Sequence, residues 1–234
     1  MSDATVAAEQ FYRYFSDEII KIGGLSADSL YKKILCASML DSLGKARFPE
    51  KGNRRIVDLI DNYSNWTDKN RVSLVQLGIY LDRIHGHSRE LVELVQSGVG
   101  MMESGRIYRS DCDPFKSDLA KKIPQAEIVL IDKFQYLNLF YHYRHTMIHE
   151  FREPAHPMEI SQDASTPYYH SYMKHDDGAF DRDSCSWELV FPAEVFKRIC
   201  EDCIEGLKAY FIQNQIDPYK FYNFNDLWIP EDRI

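Results

Sequence analysis

Apolar residues recur at the spacing of an α-helix along most of this 234-residue chain, and this periodicity constrains the fold more than any other feature. Phe11 and Phe15, for example, share one face of a helix. We predict helices over residues 4–22, 26–47, 56–63, 67–84, 91–99, 125–153 and 192–211. Ser26 and Thr67 are the predicted N-caps of the second and fourth helices. The pair Glu153-Pro154 would stop the sixth helix, because the residue before a proline disfavours helical geometry.

Two segments rich in aromatic and β-branched residues, 168–174 and 185–191, interrupt the helical pattern. Asp-Asp-Gly lies between them, which is typical of a hairpin turn. The sequence therefore predicts a mainly α protein with a small two-stranded β-hairpin, over 168–191, inserted before the last helix. Along the chain we expect an N-terminal helix extension over 1–24, a helical domain over 25–216 and a C-terminal tail over 217–234 that docks on the body.

The charge balance and the cysteines narrow the class of protein. The chain has 28 Lys and Arg residues against 36 Asp and Glu residues, a net charge of −8, which argues against a protein that coats DNA. We find no basic region followed by an apolar stretch at the start, and no run approaches the roughly 18 apolar residues of a membrane span. The five cysteines are irregularly spaced, as expected of reduced thiols. We therefore expect a cytoplasmic protein without a membrane partner.

The most informative segment lies near the end of the predicted helix 125–153. With Arg144 placed at zero, four apolar side chains fall within about 40° of it on the helix. Those four are Leu137, Phe140, Ile148 and Phe151. The three histidines His142, His145 and His149 lie roughly 100° to 160° away, and Arg152 projects beside them. One helix therefore offers a half-buried guanidinium and a ridge of imidazoles.

A guanidinium in an apolar stripe needs an anionic partner, because burying an unpaired charge is very costly. That partner of Arg144 is either a carboxylate of the protein or a phosphate. Asp41 is the candidate carboxylate, since it lies on an apolar face of the second helix. The other residues of that face are Leu30, Ile34, Ala37 and Gly44. A purely structural ion pair between Asp41 and Arg144 is the alternative, and it is compatible with a functional role.

The phrase Tyr-Arg-His-x3-His-Glu-Phe-Arg-x-Pro places four residues between Arg144 and His149, near the end of a long predicted helix. This spacing resembles the R-x4-6-H motif of the HEPN superfamily, and a hairpin and a final helix follow, as in one bacterial HEPN-like group. The resemblance covers residues 25–214 and is most evident over 125–214. It implies a HEPN-like helical bundle that forms a homodimer with two such motifs at the interface. Many HEPN proteins are metal-independent endoribonucleases of toxin–antitoxin and antiviral systems, so the resemblance also implies an antitoxin or regulatory protein as a possible partner.

The residue types of this segment suit RNA cleavage without a metal or a cofactor. RNA carries its own nucleophile, the 2′-hydroxyl, and a neutral imidazole such as that of His149 can accept its proton. The guanidinium of Arg144 can grip the scissile phosphate through two hydrogen bonds. We take Arg144, His149, His145 and Asp41 as candidate catalytic residues, although HEPN proteins commonly have Asn where this chain has His145.

Basic residues around the motif and near the end of the second helix are candidates for guiding RNA. They are Arg152, His142, Lys45, Arg47, Arg54 and Arg55. A solvated helix junction explains the cluster over 45–55 equally well. Lys51 belongs to the same cluster.

Three other interpretations stay open. The chain can be a non-catalytic HEPN module that binds nucleotide or RNA, or a structural dimer. It can also be a metal-binding protein, because His145 and His149 are one helical turn apart and His142 is near them. Cys200-x-x-Cys203 has no second cysteine pair at ligand spacing, which favours packing over zinc binding.

Overall fold

The computed structural model describes residues 2–26, 28–154, 159–160, 165–176 and 179–221. Its helices are α1 Asp3–Gly23, α2 Ser29–Arg47, α3 Arg55–Tyr63, α4 Leu74–Arg83, α5 Arg89–Gly100, α6 Lys116–Leu119, α7 Ile128–Asp132, α8 Tyr136–Glu150 and α9 Ala193–Asn214. The strands are β1 Tyr108–Arg109, β2 Tyr168–Asp176 and β3 Ala179–Val190. Short 3-10 helices cover Pro49–Arg54, Thr67–Asn70, Ser110–Cys112, Gln125–Glu127 and Pro218–Phe221. The predicted mainly α class is therefore confirmed. None of the helices in these ranges combines the length and the apolar character that a membrane span requires.

The principal core is built around α9, which packs against α1, α2 and α3. Its buried side chains recur at helical spacing, so two adjacent faces of the helix are apolar. They are Val195, Phe196, Ile199, Cys200, Cys203, Ile204, Leu207 and Phe211. The thiols of Cys200 and Cys203 are buried there, and burial raises the pKa of both. The pair therefore packs in the core, as the sequence predicted.

The first and last described segments meet in this core. Phe11 of α1 packs edge-to-face on Phe211 of α9, with 5.7 Å between the ring centroids. The ring of Tyr219, which follows α9, also packs edge-to-face on Phe11, with 5.6 Å between the centroids. The helix that the sequence predicted as an N-terminal extension thus contributes buried side chains to the core, and residues 218–221 dock on it. Residues 222–234 of the predicted tail lie outside the described residues.

A second, smaller core joins α4, α5, α6 and α7. The buried carboxylate of Asp113 connects this unit to the rest of the protein. It accepts hydrogen bonds from the Leu74 amide at 3.0 Å, from the Tyr136 hydroxyl at 2.8 Å and from the Tyr169 hydroxyl. Those three donors belong to the start of α4, the start of α8 and β2. Asp113 therefore fixes the position at which α8, the helix that carries Arg144 and His149, begins.

The predicted hairpin is present and gains a third strand. β2 and β3 pair antiparallel, with Tyr168 opposite Val190, and β1 pairs antiparallel with β2 through Tyr108 and Tyr169. The order in the sheet is β1-β2-β3. The sequence did not predict β1, because two residues in a polar segment carry no alternating pattern.

Two predicted helix starts are wrong for one shared reason. The helix predicted over 125–153 begins at Tyr136, and the helix predicted over 67–84 begins at Leu74 with Ser73 as its N-cap. The residues just before both starts are extended and bond to each other, since the Ser73 amide donates to the Phe134 carbonyl at 2.9 Å. The Tyr136 amide donates in turn to the Arg71 carbonyl at 2.8 Å.

The N-cap predicted for α2 also differs from the structure. Asp28, rather than Ser26, caps the helix, because its carboxylate accepts the Leu30 amide at 3.0 Å. A carboxylate at this position also complements the positive end of the helix dipole.

Candidate functional site

The candidate site lies in the last two turns of α8. The helix ends at Glu150 because Phe151 adopts the left-handed conformation, with φ of 54°. Phe151 belongs to the apolar stripe in sequence, yet this turn carries it to the surface, where 59% of it is exposed. Its ring packs edge-to-face on Tyr31 of α2, with centroids 5.9 Å apart. His149 therefore falls in the final turn of α8.

A buried ion network fixes the chain just after the helix. The ammonium of Lys33, which is fully buried, lies 2.8 Å from a carboxylate oxygen of Glu153 and 2.8 Å from one of Glu159. The Tyr143 hydroxyl donates to Glu153 at 2.7 Å. Glu159 also accepts the amide of Ala193 at 3.1 Å, at the start of α9. The end of the motif helix is thus held by α2 and α9.

This network was not predicted from the sequence. Its one signal is that Lys33 shares the buried face of α2 with Ala37 and Leu40. The two carboxylates follow α8 in a segment without periodicity, so only the folded chain brings them to Lys33. Burial and the neighbouring carboxylate of Glu153 raise the pKa of the Tyr143 hydroxyl, which keeps Tyr143 protonated and donating.

Arg144 and Asp41 lie in contact, as the facing apolar stripes predicted. One guanidinium nitrogen of Arg144, Nη2, is 3.4 Å from Oδ1 of Asp41. Arg55 of α3 is the closer partner of the same carboxylate, because its Nε donates to Oδ1 at 3.1 Å and its Nη2 donates to Oδ2 at 2.7 Å. Arg55, which the sequence analysis assigned to RNA guidance, therefore occupies both oxygens of Asp41.

This arrangement leaves Arg144 only partly neutralised. Two guanidinium groups share one carboxylate, so the cluster carries an excess of one positive charge. The Arg144 side chain is 12% exposed, and its Nε is buried without a hydrogen-bond partner among the described residues. A guanidinium has five N–H donors in a planar fork, a shape that matches a phosphate or a carboxylate. The site is therefore suited to binding an anion.

The three histidines form an exposed ridge on the same helix. The rings of His145 and His149 are 4.3 Å apart between centroids, and His142 precedes them by about one turn. On an ideal helix the side chains of Arg144 and His149 leave the axis about 140° apart. Within one protomer Arg144 and His149 therefore point in different directions rather than converge on one point.

The predicted RNA-guiding residues divide into two groups. Arg47 is held within the fold, because its Nε donates to the Tyr63 hydroxyl at 2.6 Å and its guanidinium stacks on the Tyr210 ring at 4.2 Å. Arg55 is committed to Asp41. Lys45, Arg54, His142 and Arg152 are exposed, and Arg152 forms an ion pair with Glu150.

No group of three or more His, Cys, Asp or Glu side chains within the described part of the chain is arranged to hold a metal ion. His145 and His149 would supply two ligands at most. The chain matches no protein-family model, no curated protein and no solved structure, so the resemblance to HEPN proteins rests on its own residues and their geometry.

Proposed function

We propose that the protein is a metal-independent endoribonuclease of the HEPN type, acting as a homodimer. The observation that carries this proposal is Arg144, a mostly buried guanidinium with unused donors beside a ridge of exposed imidazoles. A scissile phosphate is an anion of the right shape to use those donors. Asp41 and Arg55 would act as positioning residues, because they hold the guanidinium without touching the substrate.

The proposed reaction needs one base, one acid and one charge-stabilising group. A neutral imidazole of His149 accepts the proton of the 2′-hydroxyl, whose oxygen attacks the adjacent phosphorus. Arg144 stabilises the negative charge that grows on the phosphoryl oxygens. The bond from phosphorus to the 5′-oxygen breaks as an imidazolium supplies a proton to that oxygen. The products are a 2′,3′-cyclic phosphate and a free 5′-hydroxyl.

Two features support a dimer with the motif helices facing each other. A single protomer directs Arg144 and His149 about 140° apart, whereas two-fold pairing would place His149 of one copy near Arg144 of the other. Exposed apolar side chains also lie near the end of α8, namely Phe151 at 59% exposure, Tyr31 at 48%, which contacts Phe151, and Leu35 at 42%, one turn further along α2. A second copy would remove that surface from water, which favours association.

The test is cleavage of single-stranded RNA in EDTA by the wild type and by His149→Ala. We expect the variant to lose roughly 10²- to 10⁴-fold in rate, because proton transfer is removed. His85→Ala is the matched control, since His85 is exposed on the loop after α4. Mass spectrometry should identify the 2′,3′-cyclic phosphate. Equal cleavage by the wild type and His149→Ala would mean that a contaminant cleaves the RNA.

The metal alternative has its own comparison. If His145 is only a neighbour of His149, His145→Ala should retain cleavage within a few-fold and EDTA should have no effect. If the two imidazoles hold a cation, the variant and the chelator should both abolish activity.

A non-catalytic module that binds nucleotide or RNA is the second candidate. Catalytic bases are usually oriented by a hydrogen bond from another group. The imidazole of His149 has no hydrogen-bond partner among the residues described, and this observation favours the non-catalytic candidate. RNA binding that depends on Arg144, with no cleavage of varied RNAs, would support this candidate.

A further inference from the structure

A groove runs along the flank of α8 that faces away from Arg144. It lies between α8, α4 and the sheet, and its volume is about 410 Å³. Such a volume falls in the range of small-molecule sites, roughly 300–1,000 Å³. The sequence could not predict it, because its walls come from three separate parts of the chain.

One wall of the groove is aromatic. It is formed by Trp187 of β3, which is half-buried. Tyr172 of β2 also lines the groove, but it follows Ser171, the cross-strand partner of Trp187, so its ring leaves the opposite face of the hairpin. The indole of Trp187 packs edge-to-face against the ring of Tyr108 of β1, with 5.4 Å between the ring centroids. Flat, partly exposed aromatic rings are the surfaces on which unpaired bases stack.

The facing wall is a single face of α4. Gln76, Ile79 and Arg83 are spaced at i, i+3 and i+7, so they point in one direction, and all three line the groove. Gln76 offers an amide with both donor and acceptor atoms, which can read the edge of a base. Arg83 is exposed and forms no ion pair with any described residue, so its guanidinium is available to a phosphate.

The groove is continuous with the histidine ridge. His142 and Thr146 of α8 line it, and His149 lies two turns beyond His142 on the same side of the helix. Seven residues of helix span about 10 Å along the axis. One or two nucleotides of extended single strand can cover that distance.

We infer that this groove is a base-binding pocket, which holds one nucleotide of a single-stranded RNA next to the position of the scissile phosphate. The inference rests on the proposed function for the identity of the substrate. The base stacks against Trp187, Gln76 contacts its edge, and Arg83 binds the phosphate of the same nucleotide. The pocket would thereby decide which RNA position is placed at the ridge, which suits a protein with a net charge of −8.

The test measures binding apart from cleavage. Nucleoside 3′-monophosphates with each of the four bases are titrated while tryptophan fluorescence is followed, and ribose 5-phosphate serves as the base-free probe. We expect at least one nucleotide to quench Trp187, and we expect ribose 5-phosphate to bind at least 10-fold more weakly. Trp187→Phe keeps an aromatic ring in the wall and should lose the quenching signal.

Two further variants locate the site. Gln76→Ala and Arg83→Ala should each weaken binding roughly 5- to 100-fold, in line with the loss of a base-edge or phosphate contact. Their matched controls are Gln10→Ala and Arg13→Ala, on the exposed side of α1. Circular dichroism of each variant verifies that it is folded.

The outcomes separate this inference from the proposed function. Nucleotide binding that depends on Gln76 and Arg83 would support the pocket even if His149→Ala and the wild type showed no cleavage. Binding that is unchanged in both groove variants, or equal for ribose 5-phosphate, would overturn it. Binding of an apolar peptide at the groove in place of any nucleotide would also overturn it.

Discussion

At the scale of single residues, the two arginines that share Asp41 contact it unequally. Arg55 makes two hydrogen bonds to Asp41, whereas Arg144 makes one longer contact of 3.4 Å. The carboxylate therefore depends little on Arg144 for its neutralisation. This inequality allows the role of Arg144 in binding to be separated from its role in the fold.

We predict that Arg144→Ala abolishes most activity and leaves the fold largely intact. Cleavage should fall roughly 10²- to 10³-fold, because a preorganised donor to the phosphate is lost. The free energy of unfolding should change by only about 1 kcal/mol, since Asp41 keeps both bonds from Arg55. Urea unfolding and RNA cleavage, measured on the same preparations, test this. A loss of several kcal/mol would show that Arg144 is mainly a structural residue.

The sequence predicted one part of this cluster and missed another. Asp41 and Arg144 each interrupt an apolar stripe, so their contact followed from helical periodicity. The commitment of Arg55 to Asp41 depends on how α3 crosses α2, which periodicity does not encode. Arg47 was likewise assigned to RNA, because the Tyr210 ring that covers it is distant in sequence.

At the scale of elements, Lys33 links α2 to the segment after α8 and to the start of α9. Glu153 and Glu159 depend on one ammonium group, and their side chains are only 12% and 5% exposed. Removing that cation would leave two buried carboxylates without a counter-charge.

We predict that Lys33→Met destabilises the protein by about 3–5 kcal/mol at neutral pH. Lys32→Met is the matched control, because Lys32 forms no ion pair within the described residues and bonds only to the Gly23 carbonyl. Thermal and urea unfolding of both variants provide the measurement. Similar stabilities for the two variants would contradict the role assigned to the network.

Asp113 gives a second prediction at this scale, through its pKa. Burial raises the pKa of the Asp113 carboxyl to about 6, against an ordinary value of 3.8. Between these two pH values the folded protein holds a proton that the unfolded chain has released, so this group contributes less stability as the pH rises. Asp113→Asn removes the titration.

The wild type should therefore lose stability relative to Asp113→Asn between about pH 4 and pH 7, by up to about 3 kcal/mol. Urea unfolding of both proteins at several pH values measures this difference. A constant difference across that range would contradict the raised pKa.

Helices and strands with their own periodicity were predicted from the sequence. α1, α3, α9 and the paired strands β2 and β3 each carry an apolar pattern of the correct period. The starts of α4 and α8 could not be predicted in this way. Residues just before them are extended because they hydrogen-bond to each other across more than 60 positions of sequence, as between Ser73 and Phe134.

At the scale of the whole molecule, the exposed apolar side chains of Tyr31, Leu35 and Phe151 are the surface through which we propose that two copies associate. We predict a homodimer that Leu35→Glu converts to monomer, because the new carboxylate would be desolvated at the interface. Ile20→Glu is the matched control, since Ile20 is 68% exposed on α1. Light scattering measures the mass of each variant, and cleavage should fall together with dimerisation. A wild type that is monomeric at micromolar concentration would contradict the proposed arrangement of the site.

The packing of α1 against α9 also has a consequence for synthesis on the ribosome. Phe11 finds Phe211 only after α9 has emerged, because the two rings are separated by most of the chain. Until then the nascent chain cannot complete the principal core that supports α8, and contacts between such distant residues form late. A partly synthesised chain would thus lack an assembled Arg144 site, and any activity that depends on this site would arise only once α9 has been made.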